Sequence, residues 1–143
     1  MYADFLNSWN WEWFCTLTFP EYPRFSENKV NECRLNWTRL LSTEESLQVG
    51  YIYSLVYKDC LPHLHLLMIG KNRDGKTLSD VNTAIWENEW PYRARIELPE
   101  SNLAVASYLD KNISWSGSDL GFYNSALLKR LKKSLYEEAP LNC

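Results

Sequence analysis

Two histidines stand at i and i+2 in the apolar run Pro62-His63-Leu64-His65-Leu66-Leu67-Met68-Ile69-Gly70. On a strand both imidazoles leave the same face, and two neutral imidazoles side by side can grip one metal ion. An isolated His-x-His more often marks a half-buried strand whose rings meet solvent. The second chemical feature lies about forty residues downstream, in Ser107-Tyr108-Leu109-Asp110-Lys111-Asn112. At about 100° per residue, Ala106, Leu109 and Ile113 form one helical stripe. Tyr108 and Lys111, three positions apart, then share a neighbouring face. Taken alone, the pair reads more simply as a partly buried tyrosine beside a solvated lysine.

The elements that must position these residues belong to a chain of 143 residues with formal charge −3. That length suits one domain with a single core. The negative balance argues against duplex DNA held by bulk electrostatics, so any nucleic-acid site is local. Seven Trp and nine Tyr suit base stacking and a tightly packed core alike, and composition alone favours core. Cys15, Cys33, Cys60 and Cys143 show no metal-knuckle or disulfide spacing and read as reduced thiols. The start Met1-Tyr2-Ala3-Asp4-Phe5 is unlike a signal peptide, and no apolar run is long enough for a membrane span. The expectation is a cytoplasmic protein without a membrane partner.

Alternation over Trp11 to Phe19, stopped by Pro20, predicts a first strand. Ser26 caps an expected helix to about Leu41, with Val30, Cys33, Trp37, Leu40 and Leu41 inward. Residues 50–57 form a second strand, turned by Lys58-Asp59-Cys60-Leu61 into the histidine strand over 63–69. After the basic loop 70–76, Ser79 is expected to cap an amphipathic helix with Leu78, Val81, Ile85 and Trp86, broken by Pro91. A fourth strand covers residues 93–98. The tyrosine helix over 101–114 follows, then a helix over Tyr123 to Glu138. The order β-α-β-β-α-β predicts an α+β fold: a ferredoxin-like, RRM-like antiparallel sheet with both crossover helices on one face. The histidine strand would then be central, and the face away from the helices is the one on which RRM-like sheets receive single-stranded nucleic acid.

Three segments, in this order, resemble the HUH endonuclease superfamily, in particular the rolling-circle replication initiator (Rep) proteins with a single catalytic tyrosine. Phe14-Cys15-Thr16-Leu17-Thr18-Phe19-Pro20 is similar to their first motif, a Phe-x-Thr-Leu-Thr-Phe strand. Pro62-His63-Leu64-His65-Leu66 is similar to the second, His-hydrophobe-His, and Tyr108-Leu109-Asp110-Lys111 to the third, Tyr-x-x-Lys. The resemblance covers residues 11 to about 115.

It implies a metal-dependent, site-specific nicking and joining of single-stranded DNA at the replication origin of a plasmid or virus. His63 and His65 would hold Mn²⁺ or Mg²⁺, and imidazole ligation favours Mn²⁺ of the two. Tyr108 would attack the phosphodiester and keep a covalent 5′-phosphotyrosine. Lys111 would position the phosphate or support the metal site. Thr16 and Thr18 on the first strand and Arg93 and Arg95 on the fourth are candidate DNA contacts. The family's usual acidic third ligand falls here at Ser54 or Leu55, neither acidic, leaving Glu12 or Asp59 as substitutes and Glu97 too far away. Asn112 stands where two-tyrosine relatives carry their second tyrosine. No helicase domain is expected, so unwinding and synthesis fall to a host or virus helicase and polymerase. Competing readings are a single-tyrosine insertion-sequence transposase, a non-catalytic single-stranded nucleic-acid-binding module, and a ferredoxin-like protein whose histidines and tyrosine are unrelated. The cluster Lys129-Arg130-x-Lys132-Lys133 reads as a solvated helix face or as a phosphate contact.

Overall fold

The computed structural model describes residues 6, 8–21, 23–58, 61–99 and 120–132. They form an α+β structure around a five-stranded antiparallel sheet in the order β4-β1-β3-β2-β5. Its strands are β1 (Trp13–Thr18), β2 (Gln48–Lys58), β3 (Leu61–Lys71), β4 (Ala94–Glu97) and β5 (Leu120–Tyr123). The three described helices are α1 (Glu27–Glu44), α2 (Thr83–Glu89) and α3 (Ser125–Leu131). The tyrosine helix expected over 101–114 lies outside the described residues.

The sheet divides the core in two because side chains alternate across it. On one side Trp13, Cys15 and Leu17 of β1 and Leu64, Leu66 and Met68 of β3 meet Val30, Trp37 and Leu41 of α1 and Trp86 of α2. Helix α1 starts at Ser26, whose hydroxyl accepts from Lys29 N at 3.2 Å. It runs one turn beyond the expected end at Leu41, to a left-handed Ser46 (φ 54°). Its inward face also differs from the apolar pattern: Leu40 is exposed, and the buried positions include Arg34 and Thr38. Arg34 is tolerated there because its guanidinium donates to Tyr51 Oη at 2.8 Å and lies 4.0 Å from the Tyr53 ring centroid. Such stacking contributes about 0.5–2 kcal/mol where water is excluded.

On the other side, Phe14, Ile52, Leu67 and Ile69 are covered by Leu6, Trp9, Trp11 and Leu128. Trp11, expected to open the first strand, instead folds over the sheet and donates from Nε1 to Leu6 O at 2.7 Å. Trp9 donates likewise to Leu128 O at 2.7 Å, tying the N-terminal segment to α3. This face is therefore partly a second core, not wholly open as expected. Glu12 pins one end of it, accepting from Gly70 N (3.0 Å) and Ser79 N (3.3 Å).

Two expected helix starts move. Ser79 caps no helix: it lies in a 3₁₀ turn, Leu78–Asp80, closed by Thr77 N donating to Asp80 Oδ2 at 3.3 Å. Helix α2 begins only after Asn82, whose Oδ1 accepts from Ala84 N at 3.1 Å. Tyr123, expected in the last helix, ends the unforeseen strand β5, where a side chain at Gly121 would run into the Tyr53 ring. Left-handed Asn124 (φ 59°) then starts α3, its Oδ1 accepting from Leu127 N and its Nδ2 donating to Val49 O. No described helix is long and apolar enough to cross a membrane.

Burial raises the pKa of the Cys15 thiol and of the Tyr51 phenol, making both weaker acids. Glu87 adds to the effect at Cys15, while Arg34 and Thr38 partly oppose it at Tyr51. Both groups stay protonated in the folded chain where the unfolded chain would release the proton. Stability is therefore complete below about pH 9 and falls as pH rises through about 9–11, where free thiol and phenol ionise. Urea midpoints followed across this range should decline, and Tyr51→Phe should flatten the upper part of the decline.

Candidate functional site

The antiparallel registers bring the first two sequence motifs into direct apposition. Thr18 pairs with His63 and Thr16 with His65 across β1 and β3. The same two histidines pair with Val56 and Ser54 across β3 and β2. The row extends to both edges, since Arg95 of β4 pairs with Thr16 and Leu120 of β5 with Ser54. Residues directly opposite have Cβ atoms about 4.5–5.5 Å apart, and side chains two apart on one strand leave the same face. Arg95, Thr16, His65, Ser54 and Leu120 therefore cross the whole sheet as one line, on the face opposite α1 and α2, with Thr18 and His63 beside it.

His65 is buried, at 8% exposure, and His63 is half-buried. The His65 ring lies 5.9 Å from that of Phe14, and its Nδ1 is 3.5 Å from Thr16 Oγ1. That separation is at the outer limit of a hydrogen bond, a weak hold on the orientation of the ring. Ser54, directly opposite, is fully buried, and its Oγ has no hydrogen-bond partner. A hydroxyl buried in this state costs about 1–3 kcal/mol. Two imidazoles and an unpartnered hydroxyl on one face form a donor set that could hold a hydrated divalent cation, with Ser54 bonding to a ligand water.

The acidic substitutes weighed from sequence do not complete this set. Glu12 is engaged by Gly70 and Ser79, and its own N–H donates to Met68 O at 2.9 Å. Met68 is three residues along β3 from His65, about 10 Å. Glu97 stands opposite Phe14 on β4, two strands from the histidines, and pairs with Arg95 at 2.5 Å. Asp59 lies outside the described residues. Among the described residues no three His, Cys, Asp or Glu side chains cluster around one point.

Arg95 and Arg93 are both exposed on the β4 edge. Arg93 contributes its carbonyl to Thr18 N at 2.8 Å and leaves its side chain at the surface. Tyr108 and Lys111 lie outside the described residues, as do Cys60, Asn112 and Lys133. In the sequence Ser54 stands only where an acid is missing, yet the hairpin expected through Lys58-Asp59-Cys60-Leu61 is signal enough to find its partner. With Lys58 opposite Leu61, counting back sets Ser54 opposite His65. Comparison of the chain with protein-family models, with curated proteins and with solved structures returned no match.

If Ser54 stands beside a cation held by the histidines, a carboxylate there should strengthen binding. Ser54→Asp is expected to lower the Mn²⁺ dissociation constant by about tenfold or more, measured by isothermal titration. An unchanged constant would remove Ser54 from the site.

Proposed function

We propose that this chain is a metal-dependent, site-specific endonuclease and strand-transferase for single-stranded DNA, related in mechanism to the rolling-circle replication initiators of the HUH superfamily. The observation that carries the reading is the register of β1 against β3, in which Thr16 and Thr18 oppose His65 and His63. Two motifs nearly fifty residues apart thereby supply one polar patch. The strand order β4-β1-β3-β2-β5 supports it further, because it keeps the histidine strand β3 central, as the ferredoxin-like reading requires. Strands β4 and β5, which precede and follow Tyr108 in the sequence, are the two edges of the sheet. Strand β5 starts at Leu120, in the row of His65 and Ser54.

His63 and His65 would hold Mn²⁺ or Mg²⁺ through their imidazoles, with Ser54 bonding to the ion's hydration shell. When bound, the ion would neutralise a non-bridging phosphate oxygen and make phosphorus more electrophilic. Thr16 and Thr18 offer hydroxyls to the same phosphate or its neighbour, and Arg93 and Arg95 line the edge along which a DNA backbone would run. Tyr108 Oη forms a bond to phosphorus while the bond from phosphorus to the 3′ oxygen breaks. The phenol's proton is released, and the departing oxygen takes up a proton to become a 3′-hydroxyl. Lys111 positions the phosphate and favours the phenolate. The phosphotyrosine bond retains the energy of the phosphodiester, so attack by a 3′-hydroxyl reverses the step and rejoins strands.

In this reading the substrate is origin single-stranded DNA of a plasmid or virus, processed in the cytoplasm of the host, with unwinding and synthesis supplied by a helicase and a polymerase. A non-catalytic single-strand-binding module is the second reading, favoured by one observation: Ser54 stands where an acidic ligand would complete the metal site.

The test is incubation with Mn²⁺ and single-stranded oligonucleotides tiling the DNA around the encoding gene. A covalent adduct should form, and its tryptic peptide should carry the nucleotide on Tyr108. Tyr108→Phe and the double variant His63→Ala/His65→Ala should form none. Adduct undiminished in Tyr108→Phe contradicts the assignment, and metal-indifferent binding without cleavage of any sequence selects the binding module.

A further inference from the structure

An open cavity with a mixed charged and apolar lining lies at the other end of the sheet from the histidines. It encloses about 620 Å³ between the β2–β3 end, the loop after β3 and helix α3. Lys71, Arg73 and Arg130 line it, one from each of three elements, against a single carboxylate, Asp74. Arg130 makes a 3.4 Å contact to neutral Gln48 Oε1. Among the described residues no ion pair joins Lys71, Arg73 or Arg130 to an acid. Three cations against one carboxylate leave a net charge of +2 around the cavity, a locally positive site in a chain of net charge −3.

The backbone positions that carry its cations are fixed before any ligand arrives. Asn72 Oδ1 accepts from Asp74 N (3.0 Å) and Lys76 N (2.8 Å), folding the loop around Arg73. Lys76 Nζ bonds Glu45 Oε2 at 2.5 Å, fastening that loop to the end of α1. Lys71 is fixed by its pairing with Gln48, and Arg130 by the buried Leu127 and Leu128 on its own helix. Two guanidinium groups and an ammonium suit phosphate oxygens, which accept bidentate Arg bonds. Leu127 and Leu131 give the same cavity an apolar wall against which a sugar or base can rest.

We propose that this cavity binds backbone phosphates of DNA, as a second contact that anchors the strand away from the histidines. The proposal rests on the nicking reading for the identity of the polymer. Lys71 is six residues from His65 along β3, or about 20 Å at strand rise, so the anchor and the scissile phosphate belong to different nucleotides. The contact governs affinity and its salt dependence and takes no part in the chemistry.

The test is anisotropy of a fluorescein-labelled single-stranded 20-mer with the full chain in metal-free buffer containing a chelator, so that a histidine-bound ion contributes nothing. Lys71→Gln/Arg73→Gln/Arg130→Gln should weaken binding at least tenfold. It should also make the slope of log K against log[salt] shallower by about 2, three phosphates at about 0.7 each. Lys29→Gln/Arg39→Gln, exposed on helix α1 across the sheet, should bind like the parent chain. Thermal unfolding of the triple variant should be unchanged, because its three side chains are exposed. Parental affinity and slope in the triple variant overturn the proposal. So does binding of inorganic phosphate or a mononucleotide as tightly as the oligonucleotide, which assigns the cavity to a small phosphate ligand. Pocket-dependent DNA binding by a chain that forms no Tyr108 adduct supports the anchor while removing the nicking reading.

Discussion

The pairing of β3 with both its neighbours decides which side chains can act together. β2 and β3 are paired in unbroken register from Gln48–Lys71 to Lys58–Leu61, and β1 runs along the other side of β3 over six pairs. A slip of one residue in either ladder would send His63 and His65 to the helix-covered face and bring Leu64 and Leu66 out. That slip is opposed on both sides of the sheet. Leu64, Leu66 and Met68 are buried against α1 and α2, while Leu67 and Ile69 are buried against the N-terminal tryptophans and α3. The position of the polar patch is thus a consequence of apolar burial elsewhere on the same strand.

The second face divides along the strands into a dry half and a polar half. Phe14 and Leu67 mark the boundary. Beyond them toward Lys71 the face is closed by Trp9, Trp11 and Leu128, and the other way lie Thr16, His65, Ser54, Thr18 and His63. Gly50 allows this closure, since a side chain there would press on Leu128 at 3.2 Å. Phe14 belongs to both halves, packing into the apolar cluster and against the His65 ring. Immobilising that ring on a rigid central strand is what a donor set needs if it is to bind without prior rearrangement.

Much of this was legible in the sequence, and the omissions have physical causes. Strands β1 to β4 and helix α1 carry their own period and their own stops at Pro20, Pro91 and Pro99, so local pattern sufficed. Strand β5 has four residues, one of them Gly121, and its Tyr123 falls at helical spacing from Leu127, so the pattern merged with α3. The helix expected from Ser79 has the right period in Leu78, Val81 and Ile85, but Glu12, far away in sequence, binds Ser79 N and favours the tighter turn. Arg34 and Thr38 look outward-facing because the Tyr51 hydroxyl and Tyr53 ring that satisfy them belong to another strand. The histidines and threonines were legible because period two needs no partner, whereas Ser54 becomes a site residue only through its register. Tyr108 and Lys111 rest on motif and spacing.

The proposed chemistry requires that the polar half of the second face act as a cation site built on His63 and His65. The most direct measurement is a titration of isotopically labelled chain with substoichiometric Mn²⁺, followed by paramagnetic broadening of its NMR signals. The account predicts first loss of the His63 and His65 ring signals together with the backbone amides of Thr16 and Ser54. Broadening that begins at surface carboxylates and leaves both imidazoles sharp would contradict it.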